Sequence, residues 1–204
     1  MVGMQRLAAG LSAAVFMVMV CGVARAQKPA NRKPPFSLNW KAFVTPRTAI
    51  ALSPLPPKQW KALAAAVGQQ GASGAGPKTA RQERALAPSA TVSFQRLSRS
   101  GQPAALVSGP RADCGATGNC PLMIFRSSGT RWVPLLADGQ GQGFIPQPTR
   151  SHGLRDIATE MTGGATESQD VLYRFDGHKY RRAGCWYVTY PTHGKGPPHF
   201  GPCL

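Results

Sequence analysis

A mainly β fold is what this sequence predicts: two tandem antiparallel β-meanders, preceded by one short N-terminal helix and a disordered basic arm. Three observations point there. Gly 23 and Pro 19 make up about a fifth of the 204 residues, high for a helical bundle and ordinary for short strands joined by turns. From Thr91 onward, short apolar runs alternate with Gly-bearing turns and no helical period is found. In the N-terminal half only one segment has a 3.6-residue period, with Trp60, Leu63, Ala64 and Val67 at i, i+3, i+4 and i+7. At 21.6 kDa the chain has room for one domain, or one domain plus an arm, which argues against a two-domain enzyme.

Taken in order, residues 1–26 have the layout of a secretory signal peptide. Arg6 precedes an apolar run from Leu7 to Ala24, and Ala24-Arg25-Ala26 supplies the small-residue cleavage site. Val20 before Cys21 does not fit lipidation. Cleavage after Ala26 leaves 178 residues, a net charge of +14 and four cysteines. Residues 27–89 form the basic arm. Gln27 to Pro110 holds 12 Lys/Arg against Glu83 alone, whereas Arg111 to Leu204 holds 10 against seven acids. The first stretch, Lys28 to Pro35, has no apolar period and is expected to be disordered. The helix is expected at about 57–67, with Pro56-Pro57 at its first turn and Gly68 as its stop. Gly71 to Pro77 has linker composition.

Residues 90–204 form the β domain. Strands are expected at Thr91–Leu97, Ala104–Ser108, Leu122–Arg126, Trp132–Leu136, Gly143–Pro146, Asp156–Met161, Val171–Phe175 and Lys179–Arg182, with a last one near Trp186–Tyr190. Asp176-Gly177 and Ser128-Gly129 are hairpin turn signals. The segments 122–132 and 170–180 match at an offset of 48: Phe125 with Tyr173, Arg126 with Arg174, Gly129 with Gly177, Trp132 with Tyr180. This reads as an internal repeat of the meander, a statement about architecture and not chemistry. Gly139-Gln-Gly-Gln-Gly143 reads as a mobile hairpin loop, since no helix follows to turn it into a phosphate cradle.

An even cysteine count in an exported chain implies two disulfides, with three pairings open. Cys114–Cys120 and Cys185–Cys203 are favoured, because the first pair brackets a turn-forming pentapeptide and the second pins the Pro- and Gly-rich tail. A metal site built from Cys185, Cys203, His193 and His199 lacks any C-x-x-C spacing, so no metal and no cofactor is expected.

The motifs Asp113-Cys-Gly-Ala-Thr-Gly-Asn-Cys-Pro121, Pro148-Thr-Arg-Ser-His-Gly153 with Asp156, and Tyr173-Arg-Phe-Asp-Gly177 resemble those of an uncharacterised group of small exported bacterial proteins, over roughly residues 90 to 190. The resemblance implies no activity. The strand-turn blocks also resemble FG-GAP-type β-propeller repeats, but the Asp-rich calcium loop of those repeats is missing and two blocks do not close a propeller.

No G-x-S-x-G, H-E-x-x-H or Walker signature is present, which removes the standard local marks of serine hydrolases, zinc proteases and NTPases. The densest polar cluster is Arg150, His152 and Asp156, with Glu167 before the final hairpin. A forked donor, a ring that titrates near neutrality and two acceptors suit ligand binding, and His152 with carboxylates suits acid–base work. The same groups also serve as a structural hydrogen-bonding network.

A charge of +16 and a pI near 10.6 call for an anionic partner. Export argues against nucleic acid and for anionic envelope polymers or lipid head groups, with membrane contact only through an uncleaved signal. The leading expectation is a periplasmic or secreted, non-catalytic binding or interaction module associated with the cell envelope. The alternatives are an inhibitor or immunity-type protein of a secreted enzyme, and a hydrolase-like enzyme using His152 and nearby carboxylates.

Overall fold

A computed structural model describes residue 34 and residues 42–70, 85–192 and 196–203. The expected signal peptide, the basic stretch 28–33, the linker at 71–77 and His193 lie outside the described residues. Among the described residues the strands are β1 (Thr48–Ala49), β2 (Thr91–Gln95), β3 (Ala104–Ser108), β4 (Cys120–Ser128), β5 (Arg131–Gly141), β6 (Phe144–Ser151), β7 (Leu154–Gly164), β8 (Glu167–Phe175), β9 (Tyr180–Thr189) and β10 (His199–Pro202), with one α-helix, α1 (Pro57–Gln70). They form two five-stranded antiparallel meanders, β1 to β5 and β6 to β10, each in chain order.

Side-chain alternation along β3 and β4 explains the layering. Ala104, Leu106, Leu122 and Ile124 join Phe144, Ile157, Val171, Tyr173 and Phe175 of the second sheet in one core. Ala105, Val107, Met123 and Phe125, the intervening positions, join Leu63, Ala64, Ala66 and Val67 of α1 in another. The first sheet is therefore covered on both faces, which is why β3 reads as an unbroken apolar run. The helix is locked to β5 by the Trp132 indole, which donates to Gln59 O at 3.2 Å.

Several expectations need correction. The helix continues past Gly68 to Gln70, although its buried residues, Leu63, Ala64, Ala66 and Val67, end before the glycine; a single glycine lowers helix stability without ending the helix. The stretches expected as separate strands around 179–182 and 186–190 are one strand, β9, bent by a register shift opposite Leu172/Tyr173. The tail contributes β10, paired with Trp186–Thr189 and tied by the Cys185–Cys203 bond. Gly139 and Gly141 are not loop residues. Both belong to β5, where the chain crosses from one sheet to the other; a Cβ at Gly141 would collide with the Glu160 carbonyl oxygen, and Gln142 N donates to that oxygen at 2.9 Å. Close backbone approach, not mobility, is what those glycines allow.

The other turn signals hold. Gly129 closes the two-residue β4–β5 turn with φ +62°. At the β8–β9 turn Asp176 Oδ1 accepts from the amides of His178 and Lys179, both at 2.8 Å, and Oδ2 from Arg181 Nε at 2.9 Å. These donors hold its carboxyl far below the usual carboxylate range, the Lys179 amide contributing most.

Candidate functional site

Both disulfides are present, Cys114–Cys120 and Cys185–Cys203. Gln169 Nε2 donates to the sulfurs of Cys185 and Cys203 at 3.0 and 3.1 Å. The Cys114–Cys120 bond braces an exposed loop, Gly115 to Gly118, whose base is anchored by Asn119: its amide donates to Thr162 O at 2.8 Å and its oxygen accepts from Thr162 N at 2.9 Å. Two disulfides suggest an oxidising, extracellular-type environment. Among the described residues no helix is long and apolar enough to cross a membrane.

Arg150 and His152 lie together at the β6–β7 turn. His152 (φ +46°) and Gly153 (φ +85°) occupy a two-residue connection between Ser151 and Leu154, the positive-φ pair that a tight hairpin demands. The β2–β3 loop docks on this turn. Ser98 bridges to Leu154, and the Leu97 carbonyl accepts from Arg155 N at 2.9 Å and from Arg150 Nη1 at 2.7 Å. The ladder between β6 and β7 is broken between Pro146 and Arg150, and Arg155 fills the gap by donating to the carbonyls of Gln147 and Pro146. The result is a shallow recess of about 540 Å³ lined by Ser98, Arg99, Ser100, Arg150, His152, Gly153 and Leu154. Two guanidinium groups, one imidazole and two hydroxyls line it, and no carboxylate does.

Asp156 does not join that lining. It is buried, accepts from Thr149 Oγ1 at 2.8 Å and stands 3.9 Å from Arg174 Nε. Glu167 is farther still. It opens β8 opposite Gly164, eight positions along β7 from Asp156, or about 26 Å at the usual rise of a strand. The four expected site residues thus fall into three places, and only Arg150 and His152 share one.

Two features lie outside what sequence reasoning singled out. Glu160 and Asp170 are cross-strand partners on the face of the second sheet turned away from the sandwich core, 6 % and 0 % exposed. Glu160 Oε2 and both Asp170 oxygens have no hydrogen-bond partner among the described residues. Burial pushes Asp170 up to about 7, helped by the Glu160 charge, and burial also raises Glu160. The second feature is a cleft of about 630 Å³ between β5 and the β8–β9 hairpin. Its lining includes Pro134 to Asp138 and Gln70 on one side, and Tyr173 with Lys179 to Arg182 on the other. Tyr173 is buried there, and desolvation raises its phenol above the usual range, with Asp138 adding to the rise and Arg182 opposing it. Arg182 and Lys179 had a sequence signal, the basic stretch Lys179-Tyr-Arg-Arg182, which was legible only as a strand.

Comparison with protein-family models, with curated proteins and with solved structures returned no match.

Proposed function

We propose that this chain is a non-catalytic binding module of the cell envelope, periplasmic or secreted, that takes anionic groups in the recess at the β6–β7 turn. The observation that carries the reading is the lining of that recess: Arg99, Arg150 and His152 with the hydroxyls of Ser98 and Ser100, and no carboxylate to compete. Guanidinium groups bind phosphate and carboxylate through paired donors, and hydroxyls complete such a shell. The surplus of Lys and Arg over the whole chain adds long-range attraction to anionic polymers and lipid head groups. Acid–base work by His152 is less well supported, because the nearest expected carboxylate, Asp156, is committed to Thr149 and Arg174.

The test is co-sedimentation of the full chain, disulfides intact, with vesicles of phosphatidylglycerol against vesicles of phosphatidylcholine. Binding to the first, lost on raising salt and weakened at least about tenfold by Arg99→Glu, is expected. Equal binding to both vesicles, or an unchanged Arg99→Glu variant, overturns the reading. A second reading, an inhibitor-type contact, rests on the exposed, disulfide-braced loop Gly115 to Gly118. It requires a stable one-to-one complex with a secreted enzyme that is abolished by Thr117→Arg.

A further inference from the structure

The cleft beside β5 lies between strand edges. Among the described residues β5 pairs only with β4, so its other edge is without a neighbour strand. On the opposite wall the first half of β9 is, among the described residues, hydrogen-bonded to β8 alone, because β10 reaches only Trp186–Thr189. Five consecutive residues of β5, Pro134 to Asp138, line the space, so the strand edge itself forms one wall. Below it, Tyr173, Tyr180 and Arg182 stand on the inner face of the second sheet, as the pairings Tyr173 with Arg182 and Phe175 with Tyr180 require. Arg182 is exposed.

We infer that this cleft is a docking site for an extended acidic segment of a partner protein, which adds to the free edge of β5 as a sixth strand. A strand placed about 4.8 Å from β5 would continue the first sheet over the tyrosines and Arg182, at the spacing that packed sheets adopt. Long free edges invite such pairing, backbone hydrogen bonds supplying affinity and alternate side chains specificity. Charge selects the occupant. Lys179, Arg181 and Arg182 line the cleft with a single carboxylate, Asp138, Arg182 from the inner face and Arg181, the cross-strand partner of Arg174, from the outer one. Arg181 is held by Asp176, which leaves Lys179 and Arg182 to meet acidic side chains on every second position of the incoming strand. A second copy of the chain fits poorly, because it brings the same cations and a net charge of +16.

This inference goes beyond the vesicle-binding reading and uses a different surface, so either stands or falls without the other. The probe is the capped hexapeptide Glu-Val-Glu-Thr-Glu-Val, titrated calorimetrically into the full disulfide-bonded chain. A Lys-for-Glu version and the hexapeptide Glu-Pro-Glu-Pro-Glu-Pro serve as controls, the latter keeping the charge but lacking half the backbone donors. The expected result is binding of the first peptide alone, with slowed amide exchange confined to residues 133–138 and 180–184. The double variant Lys179→Glu/Arg182→Glu should weaken it at least about tenfold with an unchanged melting temperature, since both residues are exposed. Equal binding of the proline peptide would make the cleft a general polyanion site and overturn strand addition. Failure of the acidic hexapeptide to bind, binding without protection of β5, or concentration-dependent self-association through β5 would also overturn the proposal.

Discussion

The two sheets share a topology and differ in what covers them. The first carries α1 on one face and the second sheet on the other, so β3 and the apolar part of β4 are buried on both sides and made almost wholly of apolar residues. The second sheet uses one face for the sandwich core and on the other carries Asp156, Glu160, Ser168 and Asp170, which are also buried, and the exposed Arg174, so that the difference lies in the polarity of the covered groups. The difference teaches where chemistry can reside in this fold. A strand with apolar partners on both faces has no position left for a charged group, whereas the second sheet, its hairpin ends and the cleft beyond β5 collect the guanidinium groups, the imidazole and the carboxylates.

The contrast is broken most severely in the doubly covered sheet. Phe125→Ala, at the α1 interface, is expected to destabilise the protein by about 3–5 kcal/mol in chemical denaturation. Tyr187→Ala, on a 46 % exposed residue of β9, should stay within about 1 kcal/mol. Similar losses at both would mean that β9 is as tightly covered as β4.

Next in size is the bond that pins β10. Replacing Cys185 and Cys203 together by serine should cost about 3 kcal/mol, the chain-entropy value for a loop of this length. Amide exchange should then rise in 199–202 and leave β3 and β4 unchanged; loosening of the first sheet would show that the bond supports the whole sandwich.

The buried acid pair gives a smaller effect that depends on pH. Asp170 has its carboxyl raised from 3.8 to about 7, so between those values the folded protein holds a proton that the unfolded chain releases. Stability is therefore greatest at the acid end and falls as pH rises through this window, levelling above about 7. Asp170→Asn should remove most of that slope and raise stability at pH 8, by an amount on the order of a few kcal/mol at most. A melting temperature that is flat with pH in the unsubstituted protein would contradict the burial there of a carboxyl without a hydrogen-bond partner among the described residues.

How much of this was legible in the sequence depends on range. β3 was placed at its observed ends because its apolar run is bounded by Gly101 and Gly109, and the disulfides followed from the turn-forming pentapeptide that the first brackets and the Pro- and Gly-rich tail that the second pins. The Gly139–Gly143 stretch misled because a glycine needed for close approach to Glu160 has the same composition as a mobile loop. For the site, Arg150 and His152 were legible as a polar turn. Arg99, Ser98 and Ser100 were not linked to them, since only the docking of the β2–β3 loop through the Leu97 carbonyl brings them together. Glu167 was misplaced for the same reason: its distance from Asp156 is set by the register of β8 on β7, which no local signal carries.

The smallest expected effect separates conformation from recognition at His152. His152→Asn keeps a residue tolerant of positive φ and should shift stability by less than about 0.5 kcal/mol, while His152→Ala should cost about 1 kcal/mol. Both should weaken vesicle binding alike. If Asn restores binding as well as stability, the ring takes no part in the recess.

The measurement that bears most directly on the division between a stable double-covered sheet and a recognising set of hairpin ends is native-state amide exchange, with and without phosphatidylglycerol vesicles. Without vesicles, β3 and β4 should exchange slowest, at rates set by global unfolding, with the turns at 96–101 and 151–154 fastest. With vesicles, those two turns should gain protection together while β3 and β4 stay unchanged. Protection elsewhere with none at 96–101 and 151–154, or β3 exchanging as fast as β9, would contradict the account.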